Sequence, residues 1–376
     1  MSEDADQKLY DLVMSRTGKH DTEVHDRLMY ELQVIKDVEM SDYFLLIKDI
    51  VDYMKDNGIF YNARGSASGS MVCYLLDITK VNPLDFKLDF SRFMSRDRSK
   101  PPDIDLDVED TRRQEVIDWV SSQYNLVQLG TYSKLGLDEW GRGSLFVQYM
   151  AKQRRLHTPT EFKKKFGTVK SIEDLPDKLQ KKLSKLSDLE VLKAPSAHAA
   201  GYVVHQGKDF DDIVPKMFIP SSGLQVTQMA MDDVENAGYV KVDLLGLRTL
   251  STIKKVYDYL DEELDDYTQT FNYEDKKTFM TLRRGVPYGY KSGIFQFEGW
   301  TAMKGCREMK VNSLEDCILI MALYRPSTLN TGYTQKFLDR RFGKEAVSYP
   351  HEMFEDVLKD TLGLVVYQEQ VLQMLR

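Results

Sequence analysis

Three aspartates alternate with apolar residues in one short segment of the chain. Residues 102–107 read Pro-Asp-Ile-Asp-Leu-Asp, and Val108 follows. In a β-strand alternate side chains share a face, so Asp103, Asp105 and Asp107 would project together while the apolar residues face a core. Carboxylates on one side repel each other unless cations bind between them, and two divalent metal ions held in this way support phosphoryl and nucleotidyl transfer. A solvated edge strand or a lone Mg²⁺ or Ca²⁺ site is the commoner reason for such a pattern.

A fourth aspartate lies inside an apolar strand pattern. Residues 241–247 read Lys-Val-Asp-Leu-Leu-Gly-Leu, with Asp243 in third place. A carboxylate in such a strand is costly to bury unless it is paired or bound to a metal. Pairing with Lys241, or capping of a helix N-terminus, is the simpler explanation of Asp243 taken alone.

A loop of small residues precedes an apolar helix. Residues 64–70 read Arg-Gly-Ser-Ala-Ser-Gly-Ser, and a helix is predicted for Met71–Leu76. Small residues allow close approach of the backbone, the amides at the helix N-terminus can cradle a phosphate, and Arg64 adds positive charge. Most loops of this composition are ordinary turns, so the loop alone does not identify a site.

The spacing of apolar residues predicts helices that alternate with short strands, as in a mixed α and β protein. Residues 1–20 are polar and are expected to be frayed. A helix begins at Thr22, and the next helix has Ser41 as its N-cap and ends at Asn57-Gly58. The other predicted elements are strands at 59–61, 103–108, 199–204 and 239–245, a helix at 112–124, and mainly helices from Asn272 onward.

The composition is that of a folded protein with unevenly distributed charge. Hydrophobic residues make up 42% of the 376 residues, and the formal net charge is −8. Between Lys152 and Lys185, however, there are eleven Lys or Arg residues and only four Asp or Glu residues. Such a basic segment either contacts a nucleic-acid backbone or forms a solvated helical face.

The cysteines and the apolar runs indicate a cytoplasmic protein without membrane association. Cys73, Cys306 and Cys317 form no Cys-x-x-Cys pair and lie in apolar helical patterns, as expected for reduced buried thiols. No stretch approaches the roughly eighteen apolar residues that a membrane-spanning helix needs. The acidic start of the chain is unlike a signal peptide.

The segments described above and five further ones occur in an order that is typical of one family. The further segments are at residues 196–201, 226–235, 295–298, 322–326 and 367–371. Together they resemble the bacterial DNA polymerase III alpha subunit, the C family of replicative DNA polymerases. The family's Gly-Ser motif is similar to 64–70, its metal-binding motif to 102–107, and the segment carrying its third aspartate to 241–250. The resemblance covers about residues 28–376.

This resemblance implies a site for nucleotidyl transfer. Asp103, Asp105 and Asp243 would be the catalytic, metal-binding triad, with two Mg²⁺ ions as cofactors (Mn²⁺ as the alternative), and Asp107 would be a spare carboxylate. The residues that would contact the incoming deoxynucleoside triphosphate (dNTP) are Arg64, Gly65, Ser66, Gly69, Ser70, Lys241 and His198. On sequence alone, a packed histidine describes His198 better. The residues that would contact primer–template DNA are Lys152, Arg154, Arg155, Lys163, Lys164, Lys165, Lys181 and Lys182.

The expected fold class is α+β. The resemblance implies a nucleotidyltransferase-type palm with a mixed twisted sheet, an inserted helical thumb and helical partial fingers. The palm would comprise residues 1–132 and 192–247, the thumb 133–191, and the fingers 248–376. The expected activity is template-directed DNA synthesis, in which deoxynucleotides pass from dNTP to a primer 3′-hydroxyl.

The sequence departs from the family pattern in several places. Residues 61–63 read Tyr-Asn-Ala where the family has Gly-Pro-Gly, and residues 327–329 read Ser-Thr-Leu where it has Gly-Pro-Leu. The basic residue five places before the palm histidine is Lys193, which keeps the charge but does not offer a bidentate fork. No His-x-His pair of the N-terminal phosphoesterase domain is present, so phosphoesterase chemistry is not expected. The later basic finger segment and the C-terminal domains of the family are also missing.

These departures leave open how complete the activity is. A second polypeptide is expected to supply the rest of the fingers and the C-terminal domains. The expected localisation is the cytoplasm of a bacterium or, for a phage-encoded protein, the cytoplasm of its host. The alternative is a catalytically incomplete DNA-binding or scaffold subunit of a replication complex. A different metal-dependent nucleotidyltransferase is disfavoured by the matches in the fingers.

Overall fold

A computed structural model describes residues 3–17, 22–96, 102–132, 134–135, 176–183, 191–192, 195–205, 214–260, 272–284 and 294–375. Most of the Lys-rich segment, and with it most of the predicted thumb, lies outside these residues. Residues 1–117 with 244–376 form one compact unit, and residues 118–243 form another.

Three helices begin the first unit: α1 (Glu3–Ser15), α2 (Thr22–Asp37) and α3 (Ser41–Asp56). Residues 1–20 were expected to be frayed, and for α1 this expectation is wrong. Leu9 and Val13 are one helical turn apart and are both buried, so the otherwise polar helix has an apolar face that packs.

The next two helices follow their sequence signals closely. On α2 the predicted apolar stripe is buried (Leu28, Leu32 and Ile35). On α3 the prediction is displaced by one residue, because Met40 is the N-cap and Ser41 is the first helical residue. The Ser41 hydroxyl instead donates a hydrogen bond to Asp6 of α1 at 2.6 Å, which ties the two helices together.

Nine strands are seen among the described residues. They are β1 (Tyr61–Arg64), β2 (Asp105–Glu109), β3 (Asn125–Thr131), β4 (Lys134–Leu135), β5 (Val191–Leu192), β6 (Ser196–His205), β7 (Lys216–Ile219), β8 (Leu224–Thr227) and β9 (Val240–Leu247). β1 begins only at Tyr61, so the strand predicted at 59–61 is placed too early. The strand predicted at 103–108 begins only at Asp105, whereas those at 199–204 and 239–245 are confirmed.

Seven of these strands form one mixed sheet in the order β1-β2-β9-β6-β3-β8-β7. The pairs β1–β2, β3–β6, β6–β9 and β7–β8 are antiparallel, and β3–β8 is parallel. β4 and β5 pair separately. A mixed sheet with helices agrees with the predicted α+β class.

Helices separate some of the strands and make up the described chain from Asn272 onward, as predicted. Those between the strands are α4 (Met71–Leu75), α5 (Arg113–Gln123), α6 (Asp177–Leu183) and α7 (Met231–Asn236). Those after β9 are α8 (Arg248–Leu260), α9 (Lys276–Arg284), α10 (Trp300–Glu308), α11 (Leu314–Leu323), α12 (Pro326–Asn330), α13 (Tyr333–Arg341), α14 (Glu355–Leu358) and α15 (Gln368–Leu375). The later helices enclose a core around Phe337, Leu323 and Met309.

The three cysteines are unpaired, and two of them, Cys73 and Cys306, are buried, whereas Cys317 is half-buried. Burial raises the pKa of Cys306 and of Cys317 to about 11, so both are protonated and unreactive at neutral pH. In the part of the chain that the structure describes, no helix combines the length and the apolar character needed to span a bilayer.

Candidate active site

The three predicted metal ligands belong to two neighbouring strands of the sheet. Asp105 is the first residue of β2, Asp103 lies two residues before it, and Asp243 lies in the middle of β9. One carboxylate oxygen from each residue lies within 4.8 Å of the other two. Asp103 is exposed, Asp105 is half-buried and Asp243 is buried, so solvent reaches the cluster from the Asp103 side.

The two oxygens of Asp243 have different surroundings. Oδ2 accepts a hydrogen bond from Nζ of Lys241 at 2.6 Å. Oδ1 is buried and accepts no hydrogen bond from any residue that the structure describes. The ion pair offered by the sequence as the simpler explanation is therefore present, but it satisfies only one of the two oxygens.

A divalent cation fits this donor set. A buried carboxylate oxygen without a donor is costly, and a nearby cation removes that cost. The cluster consists of carboxylates alone, which are the ligands that Mg²⁺ and Mn²⁺ prefer. Asp103, Asp105 and Asp243 therefore have both the spacing and the chemistry to hold such an ion.

The end of β9 that follows Asp243 is anchored from α5. Nε of Arg113 donates a hydrogen bond to the carbonyl oxygen of Leu244 at 2.7 Å. A Cβ added at Gly246 would lie 3.2 Å from Cδ of Arg113. Because glycine has no side chain, β9 can pass close to that arginine. These contacts fix the backbone next to Asp243.

Asp107 has a partner of its own. Its side chain is only 2% exposed, and Oδ2 lies 2.5 Å from Nε of Arg64. Burial raises the pKa of Asp107, and the charge of Arg64 opposes that rise. The alternation predicts that Asp103, Asp105 and Asp107 project together. In the structure Asp103 precedes the strand and Asp107 pairs with Arg64. Asp107 is therefore not part of the carboxylate cluster.

Arg64 is held on a second side by an aromatic ring. Its Cζ lies 5.7 Å from the centroid of Phe295, which is within the range of a cation–π contact. Because Arg64 pairs with Asp105 across β1 and β2, its backbone lies next to the carboxylate cluster. A third of the Arg64 side chain remains exposed to solvent.

The Gly-Ser loop is most exposed at its first glycine, Gly65. Residues Gly65–Gly69 form a 3₁₀ turn, and Gly65 has a positive φ of 79° that favours glycine. Gly65 is exposed and Ser66 is half-buried, whereas Gly69 and Ser70 are buried. Ser70 caps α4 through its hydroxyl, which accepts a hydrogen bond from the amide of Cys73.

The amides at the start of α4 are already engaged. Those of Met71 and Val72 donate to the carboxylate of Glu31 at 3.0 and 3.1 Å. This arrangement is contrary to the predicted phosphate cradle at the N-terminus of that helix. Gly69 and Ser70 are buried, so the loop residues that a ligand can reach are Gly65 and the half-buried Ser66 and Ser68.

His198 is fixed by backbone amides beside Asp243. Its Nδ1 accepts hydrogen bonds from the amides of Gly201 and Ala200 at 2.7 and 3.3 Å, which favours the tautomer protonated at Nε2. A Cβ added at Gly201 would lie 2.8 Å from this Nδ1 and 3.0 Å from Oδ1 of Asp243. The histidine is half-buried and lies close to the carboxylate that has the unpaired oxygen.

The predicted DNA-binding residues are mostly beyond what the structure describes. Lys181 lies on α6 and is exposed, and Lys182 lies on the same helix. The remaining six lie outside the described residues: Lys152, Arg154, Arg155, Lys163, Lys164 and Lys165. Their role stays a prediction from sequence.

A cluster of three carboxylates on a mixed sheet can hold the divalent ions on which metal-assisted phosphoryl transfer depends. Two family models match the chain: the bacterial DNA polymerase III alpha NTPase domain over residues 2–246, and the bacterial DNA polymerase III alpha subunit finger domain over residues 249–376. The chain belongs to the bacterial DNA polymerase III alpha subunit family, as its motifs indicated.

Curated relatives agree with this assignment. The chain is 35% identical to the DNA polymerase III subunit alpha of Bacillus subtilis (strain 168) over 395 aligned residues, which cover 98% of the chain and 34% of the relative. It is 34% identical to that of Deinococcus radiodurans, covering 93% of the chain and 28% of the relative. It is 30% identical to the DNA polymerase III subunit alpha of Aquifex aeolicus, covering 95% of the chain and 34% of the relative. The chain thus spans about a third of the length of these relatives.

Proposed function

We propose that this chain carries the catalytic centre of a template-directed DNA polymerase, which transfers deoxynucleotides from dNTP to a primer 3′-hydroxyl. The observation that supports this most directly is the cluster of Asp103, Asp105 and Asp243, whose carboxylates lie within 4.8 Å of one another in a chain of this family. Clustered carboxylates of this kind suit phosphoryl transfer, in which two metal ions act together.

The aspartates would hold two Mg²⁺ ions, with Mn²⁺ as the alternative. Bound there, the metal ions supply activation of the attacking hydroxyl and charge stabilisation of the pyrophosphate leaving group. The protein's own part is to orient the carboxylates. Arg113 fixes the backbone after Asp243, and Lys241 holds one of that residue's oxygens.

The triphosphate would lie against the exposed edge of the Gly-Ser loop. Arg64 would contribute a guanidinium, and Gly65 and Ser66 would contribute a close backbone approach. Lys241 would offer positive charge next to the aspartates, and His198 a donor at Nε2. Gly69 and Ser70 would act indirectly, because both are buried behind the loop.

In this proposal residues 1–132 and 192–247 form the palm, 133–191 the thumb and 248–376 the fingers. The Lys-rich part of the thumb would follow the phosphate backbone of primer–template DNA without sequence preference. The chain matches about a third of its relatives' length, and we propose that full activity also needs regions equivalent to the rest of the fingers and the C-terminal domains, whichever polypeptide carries them.

The test is primer extension with Mg²⁺, using the chain alone and mixed with a polypeptide equivalent to the remaining part of a relative. We expect weak or no extension alone, because mispositioned reactants lose many orders of magnitude in rate, and restored extension in the mixture. Asp105→Ala should abolish that extension, while Asp11→Asn, an exposed change on α1, should leave it intact. Tight binding of primer–template without extension in either arrangement would instead support a scaffold role.

A further inference from the structure

A buried carboxylate lies directly behind the Gly-Ser loop. Glu31 is on α2 and is fully buried. Its Oε1 accepts hydrogen bonds from Nε of Arg27 at 2.6 Å and from the amide of Met71 at 3.0 Å. Its Oε2 accepts from the hydroxyl of Ser70 at 2.7 Å and from the amide of Val72 at 3.1 Å. Each oxygen therefore has two donors.

This arrangement links α2 to the start of α4. The first amides of a helix have no partner within the helix, and here the carboxylate of Glu31 provides one for Met71 and Val72. Ser70, held by the same carboxylate, accepts from the amide of Cys73 at 3.1 Å. The end of the loop and the first turn of α4 are thus bonded to one side chain.

Arg27 extends the network to the opposite side of the loop. Its Nη2 donates to the carbonyl oxygens of Gly69 at 2.7 Å and Leu88 at 3.1 Å. Gly69 lies so close to the segment after Leu88 that an added Cβ would be 3.0 Å from the carbonyl oxygen of Asp89. The loop is therefore held between α2 and the segment that begins at Leu88.

The network fixes the end of the loop and leaves its first glycine, Gly65, facing solvent. Ala67, Gly69 and Ser70 are buried, whereas Gly65 is exposed and Ser66 is half-buried. A loop binds a ligand more tightly when the atoms that contact the ligand are already held in their bound positions. Glu31, which is fully buried, bonds to the residues that follow the exposed edge of the loop, Ser70, Met71 and Val72.

We propose that Glu31, acting through Ser70 and Arg27, is a positioning residue that holds Gly65 and Ser66 in place for the triphosphate. The proposal rests on the proposed function, because it assigns the triphosphate to that edge of the loop. It differs from a purely structural role in one measurable respect: loss of Glu31 should weaken nucleotide binding more than it slows the chemical step.

The variants are Glu31→Gln, which keeps the volume and removes the charge, and Ser70→Ala, which removes the hydrogen bond to Glu31 and the cap on the amide of Cys73. The control is Glu23→Gln, an exposed glutamate on the same helix. In the mixture that restores primer extension, Glu31→Gln should raise the KM for dNTP about tenfold and leave kcat within about twofold. Ser70→Ala should shift the KM in the same direction by less, and the control should match the wild type.

A second measurement does not depend on activity. Hydrogen exchange in the chain alone should be faster at the amides of Met71 and Val72 in Glu31→Gln than in the wild type or the control. A KM equal to the wild type's, in a preparation that extends primers and that Asp105→Ala inactivates, would overturn the positioning role and leave the proposed function standing. Unchanged exchange at these two amides would overturn it regardless of polymerase activity. If Glu31→Gln does not fold, the KM for dNTP of Ser70→Ala decides the matter, because that variant keeps Glu31 but loses its bond to the loop.

Discussion

Nε of Arg64 lies 2.5 Å from Oδ2 of Asp107, and this ion pair joins β1 to β2 beside the aspartate cluster. Asp107→Asn would leave the guanidinium without its counter-charge. Because a third of Arg64 is exposed and can recruit water, we expect a loss of about 2 kcal/mol in the free energy of unfolding, below the usual cost of breaking a fully buried pair. Urea denaturation measures this loss.

A double-mutant cycle with Arg64→Met separates the interaction energy of the Arg64–Asp107 pair from the other contacts of the two residues. If the ion pair carries the effect, the double variant should be more stable than the sum of the single losses indicates. Losses that add fully would show that Arg64 and Asp107 contribute independently.

Divalent metal should stabilise the wild-type chain through the aspartate cluster. At a metal concentration 100 times its Kd, binding to the folded state adds about 2.7 kcal/mol to the free energy of unfolding. Asp243→Asn should remove most of this gain, because it weakens the buried ligand with the unpaired oxygen. Thermal melts with and without Mn²⁺ measure the gain, and Asp11→Asn is the control. Equal gains in all three proteins would place the metal elsewhere.

Gly201 should tolerate no side chain. Its added Cβ would be 2.8 Å from His198 and 3.0 Å from Asp243, so Gly201→Ala must displace one of them. We expect a loss of about 1–3 kcal/mol in stability from overpacking, together with weaker Mn²⁺ binding in a titration. Gly299→Ala is the control, since a Cβ there meets nothing within 4 Å. Metal binding that is unchanged in Gly201→Ala would mean that Asp243 keeps its position.

The titration of Glu31 should be visible as a pH-dependent difference in stability. Burial raises the pKa of Glu31, while hydrogen bonds from Met71 and Val72 and the charge of Arg27 oppose the rise. The folded state therefore holds the proton more tightly than the unfolded chain does. The stability that comes from this tighter proton binding is fully present below the unfolded pKa of about 4.3. It is lost as the pH rises through the folded pKa of Glu31.

The stability of the wild type relative to Glu31→Gln should accordingly fall as the pH increases above about 4.3, and then level off. Urea denaturation at a series of pH values measures this difference, with Glu23→Gln measured in parallel. A difference that instead grows with pH would mean that the donors outweigh burial and lower the pKa.

Binding of duplex DNA should depend steeply on salt. Each phosphate contact contributes about 0.9 to the slope of log K against log salt, so changing Lys163, Lys164 and Lys165 to Ala should flatten the slope by up to about 2.7. Fluorescence anisotropy at several salt concentrations measures it. A variant with three exposed lysines outside the Lys-rich segment changed to Ala (Lys8, Lys36 and Lys344) is the control. An unchanged slope would assign the three predicted lysines to a solvated face.

The sequence predicts best where the signal is local. The apolar stripe of α2, the strand around Asp243 and the helix after Ser70 all follow from spacing within a few residues. α1 could not be predicted, because its short apolar face gains its stability from packing against the rest of the unit. The start of β2 was misplaced because Asp103 continues the alternation without taking part in the strand.

The site shows the same division between local and distant signals. That Asp107 turns to Arg64 depends on the register of β1 against β2, which no pattern within either strand fixes. Glu31 did leave a trace in the sequence. It lies between Leu28 and Leu32 on the apolar stripe of α2, and a charged residue at such a position needs buried partners. Its partners at Ser70 and beyond are forty residues away, so only the fold could identify them.

The contact between Lys241 and Asp243 bears on the order in which ligands would bind. The ammonium occupies one oxygen of the carboxylate, so it acts as a resident competitor for an incoming cation. An arriving triphosphate would attract the same ammonium and release that oxygen. Under the proposed function, metal and nucleotide should therefore bind with positive thermodynamic coupling, each increasing the affinity for the other by the same factor. The aspartate cluster would then take up its full complement of metal only when there is a substrate to act on.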